Sequence, residues 1–195
     1  MMGMEHSSTV MVALGSQRVE LPLVPVSDEL TIALFMTIDT RVSVLATACR
    51  ELAEVLRDLE PEVIATAATL GIPVAIEVAR ALGLEDVVVL QKSNKVHLAQ
   101  SPAIEVNSIT TSGQQRLILD RNRVHLIDGK RVLFIDDVVS TGSSVAAAVR
   151  LLRESGADIV GIGALFTESE AWRDRLGEDA RLVRALSALP FPAGG

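Results

Sequence analysis

Tyrosine is absent from this chain, cysteine and tryptophan occur once each, and phenylalanine four times in 195 residues. With aromatics at 3%, the core must be built from Val, Leu, Ile and Ala, and stacking platforms for single-stranded nucleic acid are not expected. A lone Cys49 excludes an intrachain disulfide and a cysteine-rich metal site. Its setting, LATACRELAEVL, reads as a helix face and makes it a buried structural thiol. Positive charge is also short: 18 Lys and Arg against 25 Asp and Glu give a formal charge of −7. That balance argues against a nucleic-acid partner while leaving room for a local basic pocket. Long apolar runs are missing too. The longest uncharged one, residues 63–76, contains Gly71 and Pro73 and is too short to span a bilayer. MMGMEHSSTVMVALG lacks the basic start and sustained apolar stretch of a secretory signal, so a cytoplasmic protein with no membrane partner is expected.

What is present is an ordinary globular composition, 49% hydrophobic and 22% charged, and residues 1–195 are expected to form one domain. Residues 9–26 alternate weakly around Pro22 and Pro25, which suggests short strands with an extended connection. Over residues 42–59, Leu45, Cys49, Leu52, Ala53 and Leu56 recur at helical spacing. VIAT then reads as a buried strand, and GIP opens a second helix with Pro73 in its first turn, ending near Gly83. VVVLQ, RVLFI and DIVGIGALF read as further strands. Between the last two, Val145, Val149 and Leu152 mark one helical face, and Gly156 suits a left-handed helix cap. Repeated strand–helix–strand units with nearly continuous apolar strands predict an α/β fold: a parallel sheet flanked by helices. Residues 92–131 differ in texture. IEVNSIT and QRLILD predict a β-hairpin joined across TTSGQ, either a projecting functional arm or an arm used in packing or dimerisation.

The chemistry concentrates in VLFIDDVVSTGSS, residues 132–144, where an apolar strand runs into two carboxylates, hydroxyl residues, a glycine and a helix. Ligands of open parallel sheets gather at the carboxyl ends of the strands. Amides at a helix N-terminus favour an anion, and ionised carboxylates accept hydrogen bonds from vicinal hydroxyls. A phosphorylated ribose fits both halves. No Walker loop occurs, GIGALF lacks the third glycine of a dinucleotide fingerprint, and a D-x-D phosphatase nucleophile would need an acid at Val138. An acidic metal pocket stays open on the Asp pair alone, as does the plain reading in which Asp137 and Ser140 cap the helix.

IDDVVSTGSS resembles the phosphoribosyl pyrophosphate (PRPP) signature of the type I phosphoribosyltransferases. ELPLVPVSD, IATAATLGIPVAIEVARALG, VVVLQKSNK, IEVNSITT and ALPFP extend the likeness, over most of the chain, to the adenine phosphoribosyltransferase-like branch. The resemblance implies an enzyme in which a purine base, adenine first, displaces pyrophosphate from C1 of PRPP with magnesium (Mg2+) held through PRPP. It implies a small hood to which the termini contribute, a closing arm at residues 96–122, and a homodimer. Asp136 and Asp137 would hold the ribose hydroxyls, while Ser140, Thr141, Gly142, Ser143 and Ser144 would cradle the 5-phosphate. ATLG, residues 68–71, stands where the pyrophosphate loop is expected, with Thr69 and Leu70 as its contacts. Relatives usually carry an acid and a basic residue there; this chain has Ala68 and Leu70.

Lys92 and Lys95, just after a strand, are placed to meet the pyrophosphate, and Lys92 is the one candidate for a catalytic role. Phe166 and Glu168 are candidates for base stacking and base contact. Arg116, Arg121 and Arg123 could meet phosphate on arm closure, whereas His97 and His125 read as surface residues. Ser140, where hypoxanthine–guanine enzymes commonly place an aspartate, keeps adenine ahead. Xanthine, hypoxanthine or a pyrimidine remains open as acceptor, as does a non-catalytic regulator that senses PRPP. Such regulators usually place a DNA-binding domain first, and residues before 42 do not read as one.

Overall fold

The computed structural model describes residues 8–27, 31–93, 98, 101–106 and 115–190. The chain opens with three antiparallel strands, β1 (Thr9–Leu14), β2 (Gln17–Pro25) and β3 (Thr31–Ala33), forming a small sheet. Its pairing runs from Leu14↔Gln17 at the β1–β2 turn to Leu23↔Ala33 between β2 and β3. Then follow α1 (Val42–Leu56), β4 (Val63–Ala67), α2 (Gly71–Leu82) and β5 (Val87–Leu90). An antiparallel hairpin, β6 (Ala103–Val106) with β7 (Gln115–Ile118), leads to β8 (Arg131–Val139), α3 (Ser143–Glu154) and β9 (Asp158–Thr167). A short α4 (Ala171–Leu176) and β10 (Val183–Ala188) complete it.

Five of these strands form a parallel sheet in the order β10-β9-β8-β4-β5. Because side chains alternate across a strand, each strand feeds two cores. Val63, Ala65 and Ala67 of β4, with Val132 and Phe134 of β8, pack towards α3, α4 and the hairpin. Ile64 of β4, with Leu133 and Ile135 of β8, packs towards α1, α2 and the small N-terminal sheet. The stripe Leu45, Ala48, Cys49, Leu52, Ala53 and Leu56 of α1 is buried on that side, at the spacing expected of one helical face. Burial, and then the nearby Glu77 charge, pushes the Cys49 thiol up to about 12, so it is inert.

The hairpin lies where the sequence placed it, but its described base does not project. Leu117, Ile118 and Leu119 are buried, and Gln91 and Ile118 exchange backbone hydrogen bonds of 2.8 and 2.9 Å. Gly113 and the turn lie outside the described residues. No helix among the described residues is long and apolar enough to cross a membrane.

Candidate functional site

The two acids are not at the end of their strand, because β8 runs on to Val139. They lie where its neighbour stops. The β4–β8 pairing ends at Thr66↔Ile135, while β8 stays paired to β9 through Asp136↔Ala164, Val138↔Phe166 and Val139↔Thr167. One edge of β8 is therefore released at Asp136, and a cleft of about 220 Å³ opens there. Its walls are Ala67 at the end of β4 with residues 68–70 after it, Lys92 after β5, the Asp136–Asp137 pair, and the turn from Ser140 through Gly142 to Ser144.

The turn is shaped by Gly142, whose φ of +77° is the left-handed conformation that glycine adopts without penalty. Gly142 is also pressed against the chain after β9: a side-chain carbon here would lie 3.0 Å from Trp172 Cα and 3.2 Å from the Trp172 carbonyl oxygen. The N-cap of α3 is Gly142, with no side-chain capping bond. The reading in which Asp137 and Ser140 merely cap this helix is thus overturned. The Ser143 N–H has only a long 3.4 Å contact to Thr141 Oγ1, and N–H groups so loosely held at a helix start are open to an anion.

The opposite wall is tied down from three sides. The Ala68 N–H donates to Leu90 O at 2.9 Å, the Ile72 N–H to Thr69 O at 3.2 Å, and the Thr37 hydroxyl to Leu70 O at 2.8 Å. The Ala68–Thr69 peptide is cis. Thr37, in the turn after β3, was not singled out by sequence; a single threonine in TIDT carries no local sign of a contact 33 residues away.

The carboxylates are strongly perturbed. Burial, then the negative charge of Asp137, holds Asp136 well above the usual carboxylate range, and Lys92 offsets this only in part. Burial also raises Asp137, partly offset by hydrogen bonds from its surroundings and by Lys92. The Asp137 N–H donates to Asp136 Oδ1 at 3.0 Å. Two adjacent acids in a half-buried cleft do not both ionise readily. Hydroxyl donors of a ligand favour the ionised form. Affinity for a vicinal diol should therefore fall as pH is lowered, starting at a higher pH than an unperturbed carboxylate near 4 would give. Calorimetric titration across pH checks this; an affinity flat down to about pH 5 would contradict it.

Of the residues singled out by sequence, the cleft brings together Asp136, Asp137, Ser140, Thr141, Gly142, Ser144, Thr69, Leu70 and Lys92. Ser143 starts α3 beside the cleft without lining it. Phe166 is corrected: its ring is fully buried, edge-on to Phe35 with centroids 5.0 Å apart, and has no face free for a base. Glu168 is half-buried after β9, with its N–H donating to Val139 O, and does not line the cleft. Arg123 reaches Val87 O and Asp86 at the amino end of β5, the far edge of the sheet from the cleft. Arg116, Arg121 and His125 are exposed. Lys95 and His97 lie outside the described residues. The described residues hold no group of three or more His, Cys, Asp or Glu side chains that could cage a metal.

Residues 41–186 match the model of the phosphoribosyl transferase domain. The chain is 31% identical over 147 residues to the purine biosynthesis transcriptional repressor PurR of Bacillus subtilis, covering 75% of this chain and 50% of that protein. It is 31% identical over 112 residues to an adenine phosphoribosyltransferase of Desulforamulus reducens, covering 56% of this chain and 60% of the other. The crystal structure of adenine phosphoribosyltransferase from Rhodothermus marinus superposes with a TM-score of 0.67 at 22% identity, over 87% of this chain and 94% of that one. The chain thus spans about half the length of the curated relatives it matches. The chain belongs to the phosphoribosyltransferase family, and its fold is that of the adenine phosphoribosyltransferases.

Proposed function

We propose that this chain binds PRPP in the Asp136–Asp137 cleft and transfers its phosphoribosyl group to a purine base, adenine first, releasing pyrophosphate. The observation that carries the reading is one cleft in which a half-buried acid pair stands between a helix start without a side-chain cap and a lysine-flanked loop. Asp136 and Asp137 accept hydrogen bonds from the two ribose hydroxyls. The amides and hydroxyls from Ser140 to Ser144 take the 5-phosphate, and the loop at Thr69 and Leu70, with Lys92, faces the pyrophosphate. No nucleophile is needed on the protein, because the displacement proceeds through a ribosyl cation that fixed charges stabilise. The hard oxygens of the diphosphate suit magnesium, which bound there would neutralise the departing charge. A homodimer in the cytoplasm belongs to the same reading; exposed Ile38, in the turn before α1, and Val42, its first residue, are apolar surface for a second copy to cover.

A second reading has its own support. Ala68 and Leu70 give the pyrophosphate wall no charge of its own, and a repressor stands among the relatives. In that reading the same cleft senses PRPP without turning it over. Incubating the purified chain with PRPP, magnesium and each purine and pyrimidine base in turn separates the two. AMP formed from adenine is the expected outcome. PRPP binding with no nucleotide from any base would assign the cleft to sensing.

A further inference from the structure

Thr66 stands at the last β4–β8 pair, and its hydroxyl is fully buried without a hydrogen-bond partner among the described residues. Native structures seldom leave such a group unpaired. Beside it is Gly71, the first residue of α2. A side-chain carbon on Gly71 would lie 2.4 Å from Thr66 Oγ1, 3.0 Å from Asp136 Oδ1 and 3.4 Å from Ile135 O. A side chain there would collide with the orphan hydroxyl, so its absence lets the start of α2 press against both that hydroxyl and the carboxylate oxygen at the back of the cleft. Asp136 Oδ1 already accepts from the Asp137 N–H and has a lone pair left. The proton on Thr66 is uncommitted.

We infer that Thr66 is a positioning residue for Asp136: a small shift of its side chain lets its hydroxyl donate directly to the ionised carboxylate, at the close approach that Gly71 permits. The contact fixes one carboxylate oxygen and leaves the other for the cleft. It also favours the charged form, the one that accepts from ligand hydroxyls. The charged groups facing Asp136 are Asp137 on its own strand and Lys92 from the end of β5. Neither β4 nor the first turn of α2 carries a charge, so Thr66 is the donor on that side. The benefit to ribose binding rests on the phosphoribosyl reading above, whereas the contact itself does not.

The test uses Thr66→Val, which keeps the shape and removes the donor, and Thr66→Ser, which keeps the donor. Each is made in the wild-type and in the Asp136→Asn background, and unfolding by urea is followed from about pH 4 to about pH 9. An acid held above its unfolded value loses stability as pH rises towards its folded value. Thr66→Val should extend that loss upward by about one pH unit. Thr66→Ser should not, and neither should shift the profile when Asp136 is already Asn. An unchanged profile for Thr66→Val, or an equal change in both backgrounds, overturns the inference. PRPP titration of the same proteins keeps the two claims apart. A wild type that binds no PRPP yet shows the coupling removes the phosphoribosyl reading and leaves the contact standing.

Discussion

Replacing Asp136 and Asp137 together with asparagine should weaken PRPP binding by at least about 100-fold while making the free protein more stable at neutral pH. The first effect follows from losing two charge-assisted hydrogen bonds to the ribose, each worth about 1.5–3 kcal/mol, with the amide oxygens restoring only part. The second follows from the raised positions of both acids. Between the unfolded carboxylate value and the folded one, the native state holds more protons than the unfolded chain, so its stability falls as pH rises. Asparagine removes that slope. The variant should therefore unfold at a higher temperature than wild type near pH 7, with the difference shrinking as pH falls below about 4, where the carboxylates become protonated in both states. A variant less stable at pH 7 would mean that the pair is held ionised by contacts the cleft does not show. Gain of stability with loss of binding is the pattern expected where a fold stores unfavourable charge for function.

Gly142→Ala should be the other severe substitution. Placing an L side chain in the left-handed region costs about 1–2 kcal/mol, and here the added carbon also meets the Trp172 backbone at 3.0–3.2 Å. Neither neighbour is the flexible end of a side chain, so the turn must shift. Because the same turn aims the start of α3 at the phosphate, PRPP affinity should drop by more than about tenfold alongside the loss of stability. Trp172 supplies the readout. It is the only tryptophan, 3% exposed, with its indole N–H donating to Ser169 O at 3.0 Å and the Arg173 guanidinium 4.3 Å from its ring centre. Its emission should shift in Gly142→Ala and should respond to PRPP in wild type. Unaltered affinity in Gly142→Ala would mean that the turn does not hold the phosphate.

The parallel sheet was legible because strands covered on both faces must be apolar nearly throughout: VIAT, VVVL and RVLFI announce themselves. The small N-terminal sheet was read only as short strands, since its alternation is weak and its partners, such as Leu23 and Ala33, lie on either side of Pro25 in the sequence. Strand β10 was not foreseen; its residues are half-buried at a sheet edge, and VRALSA has neither a continuous nor an alternating apolar pattern. Within the site, IDDVVSTGSS was readable because strand, acids, turn and helix are contiguous. Phe166 was misplaced because a strand-end phenylalanine looks alike whether it faces a ligand or the core, and its partner Phe35 is far away in sequence. Thr66 and Gly71 had no local mark, as their importance lies in a three-way approach with Asp136 that only the folded chain creates.

Calorimetric titration of PRPP with magnesium into the wild-type chain and the double asparagine variant tests most directly whether the Asp136–Asp137 cleft is a PRPP site. Saturable binding by wild type that disappears in a folded double variant is the result expected. No binding by wild type, or equal binding by both proteins, would contradict it.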